Sequence, residues 1–491
     1  MNSALERLFD QLRRYDRHVV AADGQRAAAS LIVVAAVVFV PMFSAWQVTR
    51  AAGGAAAPLS VAAPVGPAPS EPIFSVRRIA RTTAIEAQVA IARNRLSVLS
   101  AKLPPDACLV VRTESRDVVK TRAQRPLIPA SNMKLLVAAT ALDVLGADHR
   151  FETRLLGNRT GAAIIGNLWL IGGGDPVLTT RAYPATQIYP PAAPTYLDAL
   201  ADEILASGIT TITGAVVGDE SRYDDERYVP TWGDGIRAIE AGPLGALMVD
   251  DGVLVGEPFK PANPAISAAT AFTRLLRARG INVIGSPRSA IAPVATTEIA
   301  RLTSAPLSAI LFDLLGNSDN NVAELLLKEI GLVRQQTPSR VAGLRVVADV
   351  LEARGIAVDG LVLADGSGLG DNNRVTCQTL VSLLDTYGVD SPLGDGLALA
   401  GATGTLRDAF TTGPASQQVR AKTGTLRQAK ALSGFFPVAD LRGGGVVTFA
   451  LLLNGAGVSN QSEYRPLWNE LMEALSAFSD QPTELSLLPR S

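Results

Sequence analysis

Three short strings hold the residue types from which a nucleophilic site can be assembled. Ser131-Asn132-Met133-Lys134 places a hydroxyl and an amine three residues apart. On a helix, positions i and i+3 lie on one face about a turn apart, so the two groups can share a hydrogen bond. Ser131 would stand at the helix N-terminus, where orphan N–H groups favour negative charge. A lysine desolvated in an apolar helix near another cation has a lowered pKa and acts as a base. Alone, the string is weak: on the order of one chance match is expected in a chain with this many serines. A solvated Ser and Lys is the plainer reading. Yet the run from Leu135 to Leu145 is apolar nearly all round and closes on Gly146, so a lysine at its head needs a reason.

Ser318-Asp319-Asn320 follows Gly316-Asn317 and precedes a helical pattern. Its bland reading is a helix N-cap. Its functional reading is a loop that offers a hydroxyl and an amide to the same pocket, Ser318 relaying a proton and Asn320 positioning a substrate amide. Lys422-Thr423-Gly424-Thr425 lies on a strand pattern, where Gly424 lets a substrate backbone approach closely. Lys422 and the hydroxyls of Thr423 and Thr425 suit a carboxylate, and the N–H groups of Ser131 and Thr425 suit an oxyanion hole. Two of the chain's seven lysines fall inside these strings.

Residue counts remove other chemistries. With only two histidines, His18 and His149, neither a Ser-His-Asp triad nor a histidine-rich zinc site is expected. Neither a metal nor a cofactor is therefore expected. A net charge of −1, from 45 basic and 46 acidic residues, gives no field for nucleic acid. Two cysteines in 491 residues are no disulfide framework, and Cys108 and Cys377 read as small buried hydrophobes.

Several elements must position the strings. Residues 27–48 carry no charge and are long enough to span a bilayer, with Arg13, Arg14, Arg17 and Arg26 before them. The positive-inside rule then keeps residues 1–26 cytoplasmic and exports the rest; a cleaved signal peptide is the competing reading. Ala, Gly and Pro make 49–78 a spacer. A helix is expected from about Ile79 to Leu103 and a first strand over Ala107 to Val111. Residues 176–300 read as an inserted β-rich module between the catalytic stretches 79–175 and 301–480. An antiparallel meander is expected from Gln418–Gly424, Ala431–Val438 and Gly445–Leu453, then an amphipathic helix over Glu463 to Phe478 and a tail at 481–491.

In this order, S-x-x-K, S-x-N and K-T-G resemble the penicillin-recognising serine enzymes. The chain is most similar to the D-alanyl-D-alanine carboxypeptidase/endopeptidases called class C low-molecular-mass penicillin-binding proteins. Besides the three strings, Gly166-Asn167-Leu168-Trp169-Leu170-Ile171-Gly172-Gly173-Gly174-Asp175-Pro176, Asp365-Gly366-Ser367-Gly368-Leu369 and Gly404-Thr405-Leu406 carry the likeness, over roughly residues 80 to 460. The resemblance implies an α+β fold of the penicillin-binding-protein/serine β-lactamase-like transpeptidase type: an antiparallel sheet flanked by helices, a helical subdomain, and an insertion in the 183 residues between Lys134 and Ser318. It implies Ser131, Lys134, Ser318, Asn320 and Lys422 as catalytic residues and Thr423, Gly424 and Thr425 as substrate-binding ones. The implied partners are peptidoglycan peptides ending in D-Ala-D-Ala, β-lactam antibiotics, and a membrane through the N-terminal helix. One departure stands out: Gly370-Asp371 occupies the place where family members often carry Ser-Arg.

Two other functions fit the sequence less well. A class A β-lactamase needs a glutamate in an E-x-x-x-N loop between S-x-N and K-T-G. Here the glutamates in that stretch are Glu324, Glu329 and Glu352, and none has Asn four residues on. A catalytically inactive wall-binding protein would be free to lose the five polar residues that this chain retains.

Overall fold

The computed structural model describes residues 76–113, 116–438 and 445–478. The anchor expected at 27–48, the leader before it, residues 49–75 of the spacer and the tail at 481–491 lie outside the described residues. Among the described residues no helix is long and apolar enough to cross a membrane.

A six-stranded antiparallel sheet forms the centre. Its strand order is Ala398–Leu399, Arg420–Leu426, Ala429–Val438, Gly445–Asn454, Ala107–Thr113, Arg116–Thr121. The expected meander is the middle of this sheet, with bounds shifted by a residue or two. Ala429–Val438 is buried almost throughout, as suits a strand covered on both faces. Against one face pack the helices Val76–Lys102 and Gln461–Ser476, burying Leu96, Leu99, Leu109, Phe449 and Trp468 in one core. Against the other lies a helical group: Met133–Val144, Leu307–Leu315, Asn320–Gln335, Arg340–Ala353 and Cys377–Tyr387. Met133 through Ala141 is wholly buried, which accounts for its apolar character on all sides.

A second, mixed sheet runs Arg288–Ser289, Val216–Asp219, Ala163–Ile171, Glu152–Thr160, Thr297–Thr303, with Thr211–Ile212 and Asn282–Val283 attached beside Ala163–Ile171. It therefore reaches back to Glu152, which corrects the module start expected at 176. The Glu152–Thr160 and Ala163–Ile171 hairpin alternates like any half-buried pair, and nothing in its own pattern tells which sheet it joins. Two helices also belong here, Asp198–Ala206 and Pro264–Ala278, which bury Leu200, Ile204, Phe272 and Leu276 on the sheet. The expectation of a β-rich module is corrected by these two helices, whose buried faces pack on the sheet.

The cysteines correct a second expectation. Cys108 and Cys377 are buried but not free: they form a disulfide between the first strand of the central sheet and the start of the Cys377–Tyr387 helix, across 269 residues. So wide a separation leaves no local pattern to read.

Candidate active site

Ser131 lies in a single 3₁₀ turn, Ala130–Asn132, directly before the Met133–Val144 helix, so it precedes the α-helix instead of starting it. Its N–H is in the opening turn of that segment, where such groups lack an intrahelical acceptor. The turn is held from outside. The Asn454 side chain, at the end of a central strand, accepts from Ile128 N at 2.7 Å and donates to Ile128 O at 3.0 Å. Ala130 is kept at φ +48°, a left-handed conformation that a non-glycine residue adopts only when its surroundings enforce it.

Lys134, one turn on, is fully buried. Its Nζ lies 3.1 Å from Ser131 Oγ, 2.8 Å from Asn320 Oδ1 and 2.6 Å from the Ser367 carbonyl oxygen. Two of these neighbours can only accept, and a neutral amine has two N–H donors. Once both are spent on Asn320 and Ser367, the nitrogen lone pair is left for the Ser131 hydroxyl. Burial lowers the Lys134 pKa to about 8, against the opposing pull of the Asp319, Asp365, Glu324 and Glu240 carboxylates.

Asn320 begins the Asn320–Gln335 helix, and Asp319 caps it by accepting from Val322 N at 2.9 Å. The N-cap reading of this string is therefore correct for Asp319, while Asn320 serves the site. Its Nδ2 donates to the Glu240 carbonyl at 2.9 Å, which turns Oδ1 toward the lysine. Ser318 takes φ +67°, and among the described residues its hydroxyl makes no hydrogen bond.

The strand Arg420–Leu426 pairs along its length with Ala429–Val438, but on its other side only Arg420 and Ala421 are paired among the described residues. Residues 422–426 thus present an open strand edge, the arrangement by which an extended peptide adds to a sheet. Lys422 is fully buried with its Nζ on the Thr423 carbonyl at 2.9 Å; burial, then the charge of Lys134, hold its pKa well below the usual lysine range. A Cβ on Gly424 would stand 2.7 Å from the Pro129 carbonyl, so the Ser131 turn and this strand are in direct contact. The Thr423 hydroxyl bonds that of Thr405 at 2.9 Å, and Thr405 N in turn donates to Gly316 O, joining this strand to the loop of Ser318. Thr425 is exposed, and its hydroxyl accepts from Lys430 Nζ at 2.8 Å.

Ser131, Lys134 and Asn320 are thus in direct contact, Lys422 lies within the field of Lys134, and Gly424 abuts the turn. The Asp365–Gly368 loop also belongs to this site. Asp365 is buried and accepts from Gly368 N, Gly370 N, Asn373 Nδ2 and Trp232 Nε1 at 2.6–2.8 Å. Glu324, also buried, accepts from Gly366 N at 3.0 Å and Ser367 N at 2.7 Å. Burial, with Asp365 nearby, raises the Glu324 pKa. Together the two carboxylates aim the Ser367 carbonyl at Lys134. Gly368, at φ +80°, passes so close to Ala130 O that any Cβ would clash. The glycine spacing of Asp365-Gly366-Ser367-Gly368 was the available signal, but backbone acceptors such as Ser367 O and Glu240 O have no side chain to announce them.

The model of the D-Ala-D-Ala carboxypeptidase 3 (S13) family matches residues 106–261 and 255–475. A D-alanyl-D-alanine carboxypeptidase of Actinomadura sp. (strain R39) is 30% identical over 67% of this chain and 73% of its own length. A carboxypeptidase of Mycobacterium tuberculosis is 32% identical over 70% of this chain and 75% of its own. Among solved structures, penicillin-binding protein 4 of Haemophilus influenzae superposes with a TM-score of 0.65 at 23% identity, covering 78% of this chain and 99% of that one, a likeness of fold.

Proposed function

The chain belongs to the D-Ala-D-Ala carboxypeptidase 3 (S13) family, whose members are peptidases, and from that membership we propose a serine acyl-enzyme mechanism on peptidoglycan stem peptides ending in D-Ala-D-Ala. The contact set of Lys134 carries this reading: two carbonyl acceptors occupy its N–H groups and leave its lone pair to Ser131.

Neutral Lys134 takes the Ser131 proton as Oγ bonds to the carbonyl carbon of the penultimate D-Ala. The N–H groups of Ser131 and Thr425 receive the oxyanion. As the C–N bond breaks, the proton passes from Lys134 through Ser318 to the leaving amine of the last residue. Water then hydrolyses the ester and returns the enzyme. The open edge at 422–426 holds the substrate backbone, with Asn320 on its amide and Lys422, Thr423 and Thr425 on the terminal carboxylate. When the leaving amine belongs to a cross-link, the same steps amount to endopeptidase action.

β-Lactams present the same carbonyl and are expected to acylate Ser131 and stay. Each glutamate between the second and third strings lies on a helix, and none stands in an E-x-x-x-N loop. Glu324 holds Gly366 and Ser367, and Glu329 is engaged by Arg222 and Tyr223. Glu352 sits in the Arg340–Ala353 helix.

The Cys108–Cys377 disulfide suits an oxidising compartment, which agrees with export of the domain behind a 27–48 anchor. Labelling with a fluorescent penicillin tests the proposal: wild type takes up the label, and Ser131→Ala does not. Label retained in Ser131→Ala would refute the nucleophile, and failure of wild type to release D-Ala from a pentapeptide would refute the activity.

A further inference from the structure

Lys430 is a buried cation that the catalytic steps leave unused. It lies opposite Thr425 in the pairing of Arg420–Leu426 with Ala429–Val438, and it is 8% exposed. Its Nζ donates to Thr425 Oγ1 at 2.8 Å and sits 4.0 Å from the ring centre of Tyr464 and 5.0 Å from that of Trp468. Arg465 adds a like charge beside it, and among the described residues no carboxylate forms an ion pair with it. A cation packed against two rings, with no ion-pair partner among the described residues, acts with its charge uncompensated on the one hydroxyl to which it donates.

That bond goes to the open edge of the site. A hydroxyl oxygen that accepts from an ammonium must point its own hydrogen elsewhere. Thr425 is exposed on the unpaired stretch 422–426, so this hydrogen is available to a ligand lying along the edge. An ammonium behind the oxygen polarises the O–H and favours an anionic acceptor over a neutral one.

We propose that Lys430 is a positioning residue for carboxylate recognition: it holds the Thr425 hydroxyl as a donor to the free carboxylate of the peptide's last residue. Ligands with that carboxylate are thereby preferred to those in which it is esterified. The proposal rests on the acyl-enzyme reading above and adds to it the residue that selects for a charged terminus.

The experiment compares an acyl-D-alanyl thioglycolate with its methyl ester as substrates of the purified protein, following thiol release. Lys430→Met lowers kcat/KM for the free acid about tenfold, chiefly through KM, and leaves the ester rate unchanged. Lys430→Arg keeps the preference, and Lys430→Met adds nothing to Thr425→Val. Equal losses on acid and ester, or additive effects of the two substitutions, overturn the proposal. Should Lys430→Met melt early, Lys430→Gln, which removes the charge but keeps a hydrogen-bond donor, takes its place, and equal losses on acid and ester there overturn the proposal as well. Penicillin labelling of wild type at Ser131 is scored separately: with the label present and Lys430→Met unselective, only the role of Lys430 falls.

Discussion

The Lys134 Nζ stands 2.6 Å from the Ser367 carbonyl oxygen, closer than its 3.1 Å approach to the Ser131 hydroxyl. The tightest contact of the base is thus with a backbone acceptor that does no chemistry. It fixes which way the lone pair points. A lysine so bound, and itself fully buried, does not swing out to solvent for its proton.

The rate of Ser131 acylation should follow the neutral fraction of Lys134. Lysine ordinarily titrates near 10.5, and burial brings Lys134 to about 8, so the base is charged and idle in acid. Acylation by a β-lactam is expected to rise with pH through about 8 and then level off. Stopped-flow or quenched labelling across that range checks it. Lys134→Arg, charged at every accessible pH, should lose between about 10² and 10⁴-fold. A flat profile in wild type would remove lysine as the base.

Glu324→Gln should move that rise to lower pH. The Glu324 carboxylate is among the charges that oppose the lowering of the Lys134 pKa, and a neutral amide withdraws its share. The Gln oxygen can still accept from Gly366 N and Ser367 N, so the Ser367 carbonyl keeps its aim. The midpoint of the pH–acylation curve is the measurement, and a shift upward would contradict the electrostatic role given to Glu324.

The parts of this site that were legible in sequence are those where side chain and spacing coincide. Ser131 and Lys134 are three apart on one turn, and an apolar helix around a lysine is anomalous whatever the fold. The central meander was legible because alternating and continuous apolar runs carry their own period. The acceptors that orient Lys134 and Asn320 were not, because Ser367 O and Glu240 O are backbone atoms, the first 233 residues downstream of Lys134 and the second in the inserted module. Membership of the Glu152–Thr160 hairpin in the second sheet was hidden for a related reason: pairing partners are chosen by the fold, not by the strand's own alternation. Cys108 and Cys377 read as hydrophobes since burial alone explains each of them, and only their meeting reveals the bond.

Gly424→Ala should cost acylation far more than stability. Its Cβ would press within 2.7 Å of the Pro129 carbonyl and 3.1 Å of Ala130 Cβ. Backbone cannot yield there without parting the strand edge from the nucleophile turn, and an ångström of misplacement costs about 10²-fold. The acylation rate and the melting temperature of the variant decide it. A rate near that of wild type would show that the strand and turn need not touch for catalysis.

Loss of the Cys108–Cys377 disulfide should have the opposite profile. The bond ties the first strand of the central sheet to the Cys377–Tyr387 helix, and neither sulfur contacts Ser131, Lys134 or Asn320. A cross-link over 269 residues restricts the unfolded chain heavily, and its removal costs about 2–5 kcal/mol. The Cys108→Ala/Cys377→Ala protein is therefore expected to melt at lower temperature yet take up fluorescent penicillin at the wild-type rate while folded. Because both sulfurs are fully buried, dithiothreitol should leave native protein unchanged at ambient temperature and lower its apparent melting point only as the chain opens. A double variant as stable as wild type would mean that the two cysteines are the separate buried hydrophobes that the sequence suggested. A variant that is stable but fails to acylate would instead place the helix start at Cys377 among the elements that set the geometry of Lys134.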